Sequence, residues 1–124
     1  MSYDPKNIFA RILRGEVPCK KVYEDDHVLA FHDRVPARPV HVLVIPKGSY
    51  TSVSDMAAAG KDTEIAALFR ALEKVADLMD IKTTGYRVIA NTGEHGGQEV
   101  PHLHFHVLGG AAVGPLVKRD AAAV

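Results

Sequence analysis

The chain has 124 residues, of which 47% are hydrophobic and 24% are charged, and these values predict one globular domain with an ordinary core. Its 15 Lys and Arg residues balance 15 Asp and Glu residues, so bulk charge argues against a nucleic-acid-binding protein. With Cys19 as its single cysteine, the chain can form neither an intramolecular disulfide nor a cysteine-rich zinc site.

The first part of the chain predicts one short helix and three strands. Apolar residues at 8, 9, 12 and 13 recur at helical spacing, after Asp4 as the expected N-cap and before Gly15 as the expected stop. Strands are expected over 20–24 and 28–32, around a turn at 25–26, and over the β-branched run 40–45, which Pro46 ends.

The second part predicts a long helix and two further strands. Residues 54–60 are expected to be a connector that can include a helical turn. Apolar residues at 65, 68, 69, 72, 75, 76 and 79 then form one helical stripe, which Asp62 or Thr63 is expected to cap. A fourth strand over 86–91 and a glycine-containing loop over 92–101 lead to a fifth strand that begins at His102.

These elements predict an α+β fold, with an antiparallel sheet of about five strands, one long helix and one short helix. We expect a single domain over residues 1–124, with its core at about 5–115 and a short tail over 111–124. No apolar run approaches the roughly 18 residues of a membrane span, and the first residues lack the apolar stretch of a signal peptide. We therefore expect a cytoplasmic protein with neither a membrane nor a nucleic-acid partner.

Three histidines alternate with apolar residues at the start of the last predicted strand. His102, His104 and His106 are separated by Leu103 and Phe105. Because successive side chains of a strand point to opposite faces, one face would carry the imidazoles and the other would pack on the core. The imidazole face is then expected to look into a cleft or towards a partner subunit.

Several kinds of chemistry fit such a row of imidazoles. Two neighbouring histidines, with His41 as a possible further ligand, could bind a metal ion, but residues four apart on a strand converge poorly on one ion. Buried imidazoles bonded to backbone carbonyls would be purely structural. A neutral imidazole can also attack phosphorus while a neighbouring one exchanges protons, which favours phosphoryl or nucleotidyl transfer.

The loop before the histidines supports a phosphate site. Gly96 and Gly97 permit backbone conformations that other residues avoid, and consecutive amides in such turns can bind an anion. Gln98 adds a neutral donor and acceptor. Alone this loop would be an ordinary turn, but it lies four residues before His102.

The pattern His-x-His-x-His followed by two apolar residues resembles the histidine triad (HIT) superfamily of nucleotide hydrolases and transferases. The resemblance covers about residues 5–115. Within the superfamily, the chain is similar to the bacterial form of the Hint branch, the purine nucleoside phosphoramidases. It is carried by Ile8-Phe9, Phe31-His32-Asp33, Pro36, Pro39, His41, Leu43-Val44-Ile45-Pro46-Lys47, Asn91-Thr92-Gly93, His95-Gly96-Gly97-Gln98-Glu99 and Leu108-Gly109-Gly110.

The resemblance implies a HIT-like fold, a homodimer and a purine nucleotide site in each subunit. It implies hydrolysis of purine nucleoside phosphoramidates and related adducts such as acyl-adenylates, through a nucleotidyl-histidine intermediate and without a metal or other cofactor. By position, His104 would be the nucleophile, His106 would contact the phosphate and assist the leaving group, and His102 and His41 would orient them. The implied catalytic set is therefore His104, His106, His102, His41 and Gln98. The implied nucleotide-binding set has three parts. Asp33 would hold ribose hydroxyls, and the base and ribose pocket would be lined by Ile8, Phe9, Ile12, Phe31, His32, Arg34 and Leu43. The phosphate would be surrounded by Asn91, Gly97, Gln98 and Glu99, together with His104 and His106.

Two departures and two alternatives accompany this interpretation. Glu99 stands where many eukaryotic relatives have Ser, so its backbone amide rather than its carboxylate would meet a phosphate. The tail lacks the Trp of some relatives. A nucleotide-binding adaptor with weak catalysis would keep the same pocket, and a dinucleoside polyphosphate hydrolase is the other alternative.

Overall fold

The structure is a computed structural model that describes residues 2–118, so the tail expected over 111–124 lies partly outside the described residues. Its elements are helix α1 (Ile8–Leu13), strands β1 (Lys21–Glu24), β2 (Val28–His32) and β3 (Val40–Pro46), helices α2 (Val53–Ala59) and α3 (Asp62–Leu78), and strands β4 (Tyr86–Ile89) and β5 (Phe105–Gly109). Within the described part of the chain, no helix is long and apolar enough to cross a membrane.

The strands form one antiparallel sheet of five in the order β1-β2-β3-β5-β4. Strand β3 lies at the centre, where Leu43 is opposite Phe31 of β2 and His106 of β5. Residues that are opposite one another share a face of the sheet. The expected α+β class and the number of strands are therefore confirmed.

Strands β2 and β3 are buried on both faces, which accounts for their uninterrupted apolar sequences. One face packs against α3 and the other against α1. The α3 face receives Val28, Ala30, Val42 and Val44 of the sheet with Leu68, Leu72 and Val75 of the helix, and the α1 face receives Leu29, Phe31, Leu43 and Ile45 with Phe9 and Ile12.

The apolar residues between the histidines pack as expected. Leu103 and Val107 are buried in the core under α3, and Phe105 packs against that core. The alternation of side chains then places His104 and His106 on the opposite face, beside α1. The rings of His104 and Phe9 meet there, with centroids 4.9 Å apart.

The prediction that the last strand begins at His102 was wrong, because β5 begins at Phe105. The amide of Leu103 donates to the carbonyl oxygen of Tyr50 (2.8 Å) instead of joining the ladder of the sheet. His102 and His104 therefore lie in an irregular segment, and only His106 lies in a strand.

Three helix boundaries also differ from the sequence-based expectation. Asn7 caps α1 by accepting a hydrogen bond from the amide of Ala10 (2.9 Å), whereas Asp4 closes a preceding turn. Residues 53–59 form the helix α2, which is longer than the helical turn that the connector was expected to include, and Ser52 caps it by accepting from the amide of Asp55 (3.2 Å). The N-cap position of helix α3 is Lys61, one residue earlier than expected, and its backbone amide donates to the carboxylate of Glu64 (3.3 Å).

Candidate active site

His102 is sealed inside the protein and does not reach a cleft. Its ring is fully buried, with Nε2 at 2.8 Å from the carbonyl oxygen of Pro46 and Nδ1 at 2.6 Å from the hydroxyl of Tyr3. Because a carbonyl oxygen only accepts, Nε2 carries the proton. The expectation that three imidazoles share one open face was therefore wrong for this residue.

His104 is held with a lone pair available on Nε2. Its Nδ1 lies 2.7 Å from the carbonyl oxygen of His102, which fixes the proton on Nδ1. Burial lowers the pKa of His104, although the nearby charges of Asp33 and Glu99 oppose that shift. The ring is therefore neutral at pH 7, and its unprotonated Nε2 is the form of imidazole that attacks an electrophile.

His41 and His106 form a hydrogen-bonded pair whose protons are also fixed by the backbone. The amide of Ala37 donates to Nδ1 of His41 (3.0 Å), so the proton of His41 is on Nε2. That Nε2–H donates to Nδ1 of His106 (2.9 Å), which leaves the proton of His106 on its own Nε2. Asp33 Oδ2 lies 3.5 Å from His41 Nε2 and adds a negative charge beside the pair.

His104 and His106 are neighbours that present a hydrogen-bond acceptor and a hydrogen-bond donor, respectively. Their ring centroids are 5.1 Å apart, and His104 offers a lone pair where His106 offers an N–H donor. Burial, followed by the neighbouring His104 and His41, lowers the pKa of His106 to about 4. At neutral pH the pair therefore combines a nucleophile with a neutral hydrogen-bond donor.

A cleft of about 960 Å³ opens next to these rings, at the upper end of the size range of small-molecule sites. One of its walls comes from α1 and another from β2 and β3. All eight residues implied for the base and ribose pocket line it, namely Ile8, Phe9, Ile12, Phe31, His32, Asp33, Arg34 and Leu43. His41 lines the cleft too. In the described part of the chain His104 and His106 are not among the lining residues, but each contacts one that is, Phe9 and His41 respectively.

The loop residues implied to surround a phosphate are arranged differently from the expectation. The amide nitrogen of Gln98 donates to the carbonyl oxygens of Thr51 (2.6 Å) and Val100 (3.0 Å), so this side chain holds the loop in place. The amide nitrogen of Asn91 donates to the carbonyl oxygen of Gly96 (2.5 Å). None of Asn91, Gly97, Gln98 and Glu99 is among the residues that line the cleft in the described part of the chain.

Several residues that contribute to the site were not predicted from the sequence. Some act through backbone groups, and others are distant in sequence from the residues they contact. The carbonyl of Pro46 and the amide of Ala37 fix imidazole protons, and no pattern of side chains signals such roles. Tyr3 bonds to a histidine 99 positions away, and nothing around it in the sequence marks the contact. Cys19 and Lys20 line the cleft as well, and only their place at the start of a predicted strand could have suggested it.

The set of residues that could hold a metal ion differs from the expected one. His102 and His104 already bond to backbone groups, whereas ligand atoms of Asp33, His41 and His106 lie within 4.8 Å of one another. A metal ion there would have to replace the hydrogen bond between His41 and His106.

Comparison with known proteins identifies the class to which this fold and site belong. The profile of the HIT domain family matches residues 14–113. The chain belongs to the HIT domain family, which confirms the resemblance carried by the motif.

Individual relatives lead to the same branch. An uncharacterized HIT-like protein of Azospirillum brasilense is 53% identical over 118 residues, covering 95% of this chain and 97% of that protein. The purine nucleoside phosphoramidase of Escherichia coli K12 is 41% identical over 112 residues, covering 90% and 93%. A histidine triad protein from Clostridium difficile has a structure that matches with a TM-score of 0.81 at 41% identity, covering 94% of this chain and 100% of that one.

Proposed function

We propose that the protein is a hydrolase that cleaves the α-phosphorus bond of purine nucleoside phosphoramidates and of related adducts such as acyl-adenylates. The observation that carries the proposal is the free Nε2 of His104 beside the N–H of His106, next to a cleft of nucleotide size. The similarity to a purine nucleoside phosphoramidase supports the substrate class.

In the first proposed step, Nε2 of His104 attacks the α-phosphorus and a phosphorus–nitrogen bond forms. The bond from phosphorus to the leaving group breaks, and an amine that enters protonated on its nitrogen leaves as the neutral amine, while the Nε2–H of His106 donates a hydrogen bond to the reacting group. In the second step a water molecule attacks phosphorus and gives up a proton to solvent, and the bond from phosphorus to His104 breaks with the lone pair returning to Nε2. These steps use only the imidazoles of the chain.

The cleft supports roles for the groups around the reacting atoms. The apolar walls from Phe9, Phe31 and Leu43 suit the faces of a purine. Asp33 is the carboxylate of the cleft that accepts hydrogen bonds, and ribose hydroxyls donate them. Asn91, Gly97, Gln98 and Glu99 would contact phosphate only after the loop shifts or through their backbone amides.

Replacing His104 by Ala tests the proposal. We expect the turnover of adenosine phosphoramidate to fall by at least about a thousandfold, because the nucleophile is lost, while AMP still binds in the unchanged cleft. Calorimetry with AMP and product analysis by chromatography measure the two effects. His27→Ala is the matched control, since His27 is an imidazole outside the cleft lining.

The same assay separates the alternatives. Turnover by His104→Ala close to that of the unmodified protein would refute the assigned role. AMP binding by the unmodified protein without turnover of any phosphoramidate, acyl-adenylate or dinucleoside polyphosphate would indicate a nucleotide-binding adaptor. Preferred turnover of a dinucleoside polyphosphate would place the protein with the other class of hydrolase.

We also propose that two copies form a homodimer. Phe69 and Leu78 of α3 are 73% and 59% exposed, and Tyr86 and Val88 of β4 are 38% and 37% exposed on the face of the sheet that α3 covers. Strand β4 lies at the edge of the sheet. Apolar surface beside an open edge is typical of a surface that another chain covers. We further propose that the protein is cytoplasmic and that a purine nucleotide is its small-molecule partner.

A further inference from the structure

One residue of the N-terminal segment contacts the triad without a part in the proposed mechanism. The hydroxyl of Tyr3 lies 2.6 Å from Nδ1 of His102, and the two rings meet edge-on with centroids 5.5 Å apart. Tyr3 precedes α1, and a turn closed by the bond from the amide of Asn7 to the carbonyl oxygen of Asp4 follows it.

The direction of this hydrogen bond follows from the other side of the ring. Nε2 of His102 donates to the carbonyl oxygen of Pro46, and burial lowers the pKa of His102, so the ring carries one proton. Nδ1 therefore has a lone pair, and the hydroxyl of Tyr3 must donate to it. Without that hydroxyl, a fully buried nitrogen would lose its donor, which is an unfavourable state.

The position of His102 matters because its backbone holds the proposed nucleophile. Its carbonyl oxygen accepts the Nδ1–H of His104 (2.7 Å). His102 precedes β5, so hydrogen bonds of the sheet do not fix its backbone, and the neighbouring bond from Leu103 to Tyr50 is a contact of the loop. The hydrogen bonds of the His102 ring to Tyr3 and Pro46 therefore help to fix the position of its carbonyl group.

We propose that Tyr3 is a positioning residue for the reaction. Its hydroxyl keeps His102 in place, and the carbonyl of His102 then keeps the proton of His104 on Nδ1 and the lone pair on Nε2. The kinetic part of this inference rests on the proposed function, whereas the tautomer of His104 can be observed in the absence of any substrate.

The test compares Tyr3→Phe with Tyr23→Phe in the full chain. Tyr23 also donates through its hydroxyl, to Asp25 (2.8 Å), and lies outside the triad, so its variant is matched for the loss of one hydrogen bond. For Tyr3→Phe we expect kcat with adenosine phosphoramidate to fall about five- to tenfold, as for the loss of one buried hydrogen bond, with AMP affinity unchanged within about twofold. Long-range proton–nitrogen NMR spectra should show a smaller Nδ1–H population at His104. Tyr23→Phe should change neither quantity.

Each outcome decides the matter. A changed tautomer of His104 together with a lower kcat supports the proposal. An unchanged tautomer of His104 overturns the proposal whether or not the rate falls, because the hydroxyl of Tyr3 would then be only structural. A changed tautomer with an unchanged kcat also overturns it. Should the unmodified protein turn over no nucleotide adduct, the proposed function fails, and the NMR comparison alone decides whether Tyr3 positions His104.

Discussion

His104 and His106 are chemically identical side chains that the backbone equips for opposite tasks. The carbonyl oxygen of His102 draws a proton to Nδ1 of His104, whereas the amide of Ala37 acts through His41 to put the proton of His106 on Nε2. One carbonyl and one amide thus determine which ring presents a lone pair. Main-chain groups are well suited to this role because they do not titrate.

The burial of these rings predicts the pH dependence of turnover. A lowered pKa means that His104 stays neutral below the ordinary pKa of histidine, about 6.5. We expect kcat/KM to be constant from pH 8 to about 6.5 and to decline only further into the acid range, as His104 becomes protonated. An acid limb with an apparent pKa at or above the ordinary value would contradict this assignment.

The same shifts predict the pH dependence of stability. The unfolded chain binds protons at these histidines below about pH 6.5, whereas folded His106 does so only near pH 4. The unfolded state therefore binds more protons between these values, and the free energy of unfolding should decline as the pH falls from 6.5 to 4. Urea unfolding at pH 7, 6 and 5 measures this decline, which should be smaller in His106→Ala.

At the scale of elements, helix α1 supports one wall of the cleft with only six residues. Its cap, Asn7, is buried and accepts from the amide of Ala10. Asn7→Ala should cost about 1 kcal/mol of stability and should also weaken AMP binding, because α1 carries lining residues such as Ile8 and Phe9. Ser52→Ala removes the equivalent bond from α2, which does not line the cleft.

Thermal melts and AMP titrations of both variants check this prediction. Both variants should lose stability, Asn7→Ala the more because its side-chain amide also donates to the carbonyl oxygen of Asp4 (2.7 Å), but only Asn7→Ala should raise the dissociation constant of AMP. Equal effects of the two variants on affinity would show that α1 has no special part in the wall of the cleft.

Elements also show how far the sequence alone could lead. The alternation of Leu103, Phe105 and Val107 predicted which face packs on the core, because that face depends only on local periodicity. Whether His102 would be open or sealed depended on Tyr3, and the sequence carries no signal for a contact between such distant residues. The anchoring of Gln98 to Thr51 likewise joins positions 47 apart.

At the scale of the whole molecule, the proposed homodimer would cover exposed apolar residues of α3 and β4, Phe69 among them. Phe69→Glu places a charge in it and should convert the dimer into a monomer, as light scattering during gel filtration would show. Val53→Glu, at a residue 39% exposed on α2, is the control and should leave the mass unchanged. A monomeric unmodified protein would contradict the proposed assembly.

Phe31 and Leu43 belong at once to the core under α1 and to the lining of the cleft. A substitution that reshapes the purine wall there would also leave a void or a clash in the interior, with a cost in stability of a few kcal/mol. We therefore expect substitutions that alter ligand preference to occur at the rim, where Arg34, Cys19 and Lys20 are exposed and can be replaced without disturbing the core. Diversity among natural variants should accumulate at that rim, while the floor of the cleft stays nearly invariant.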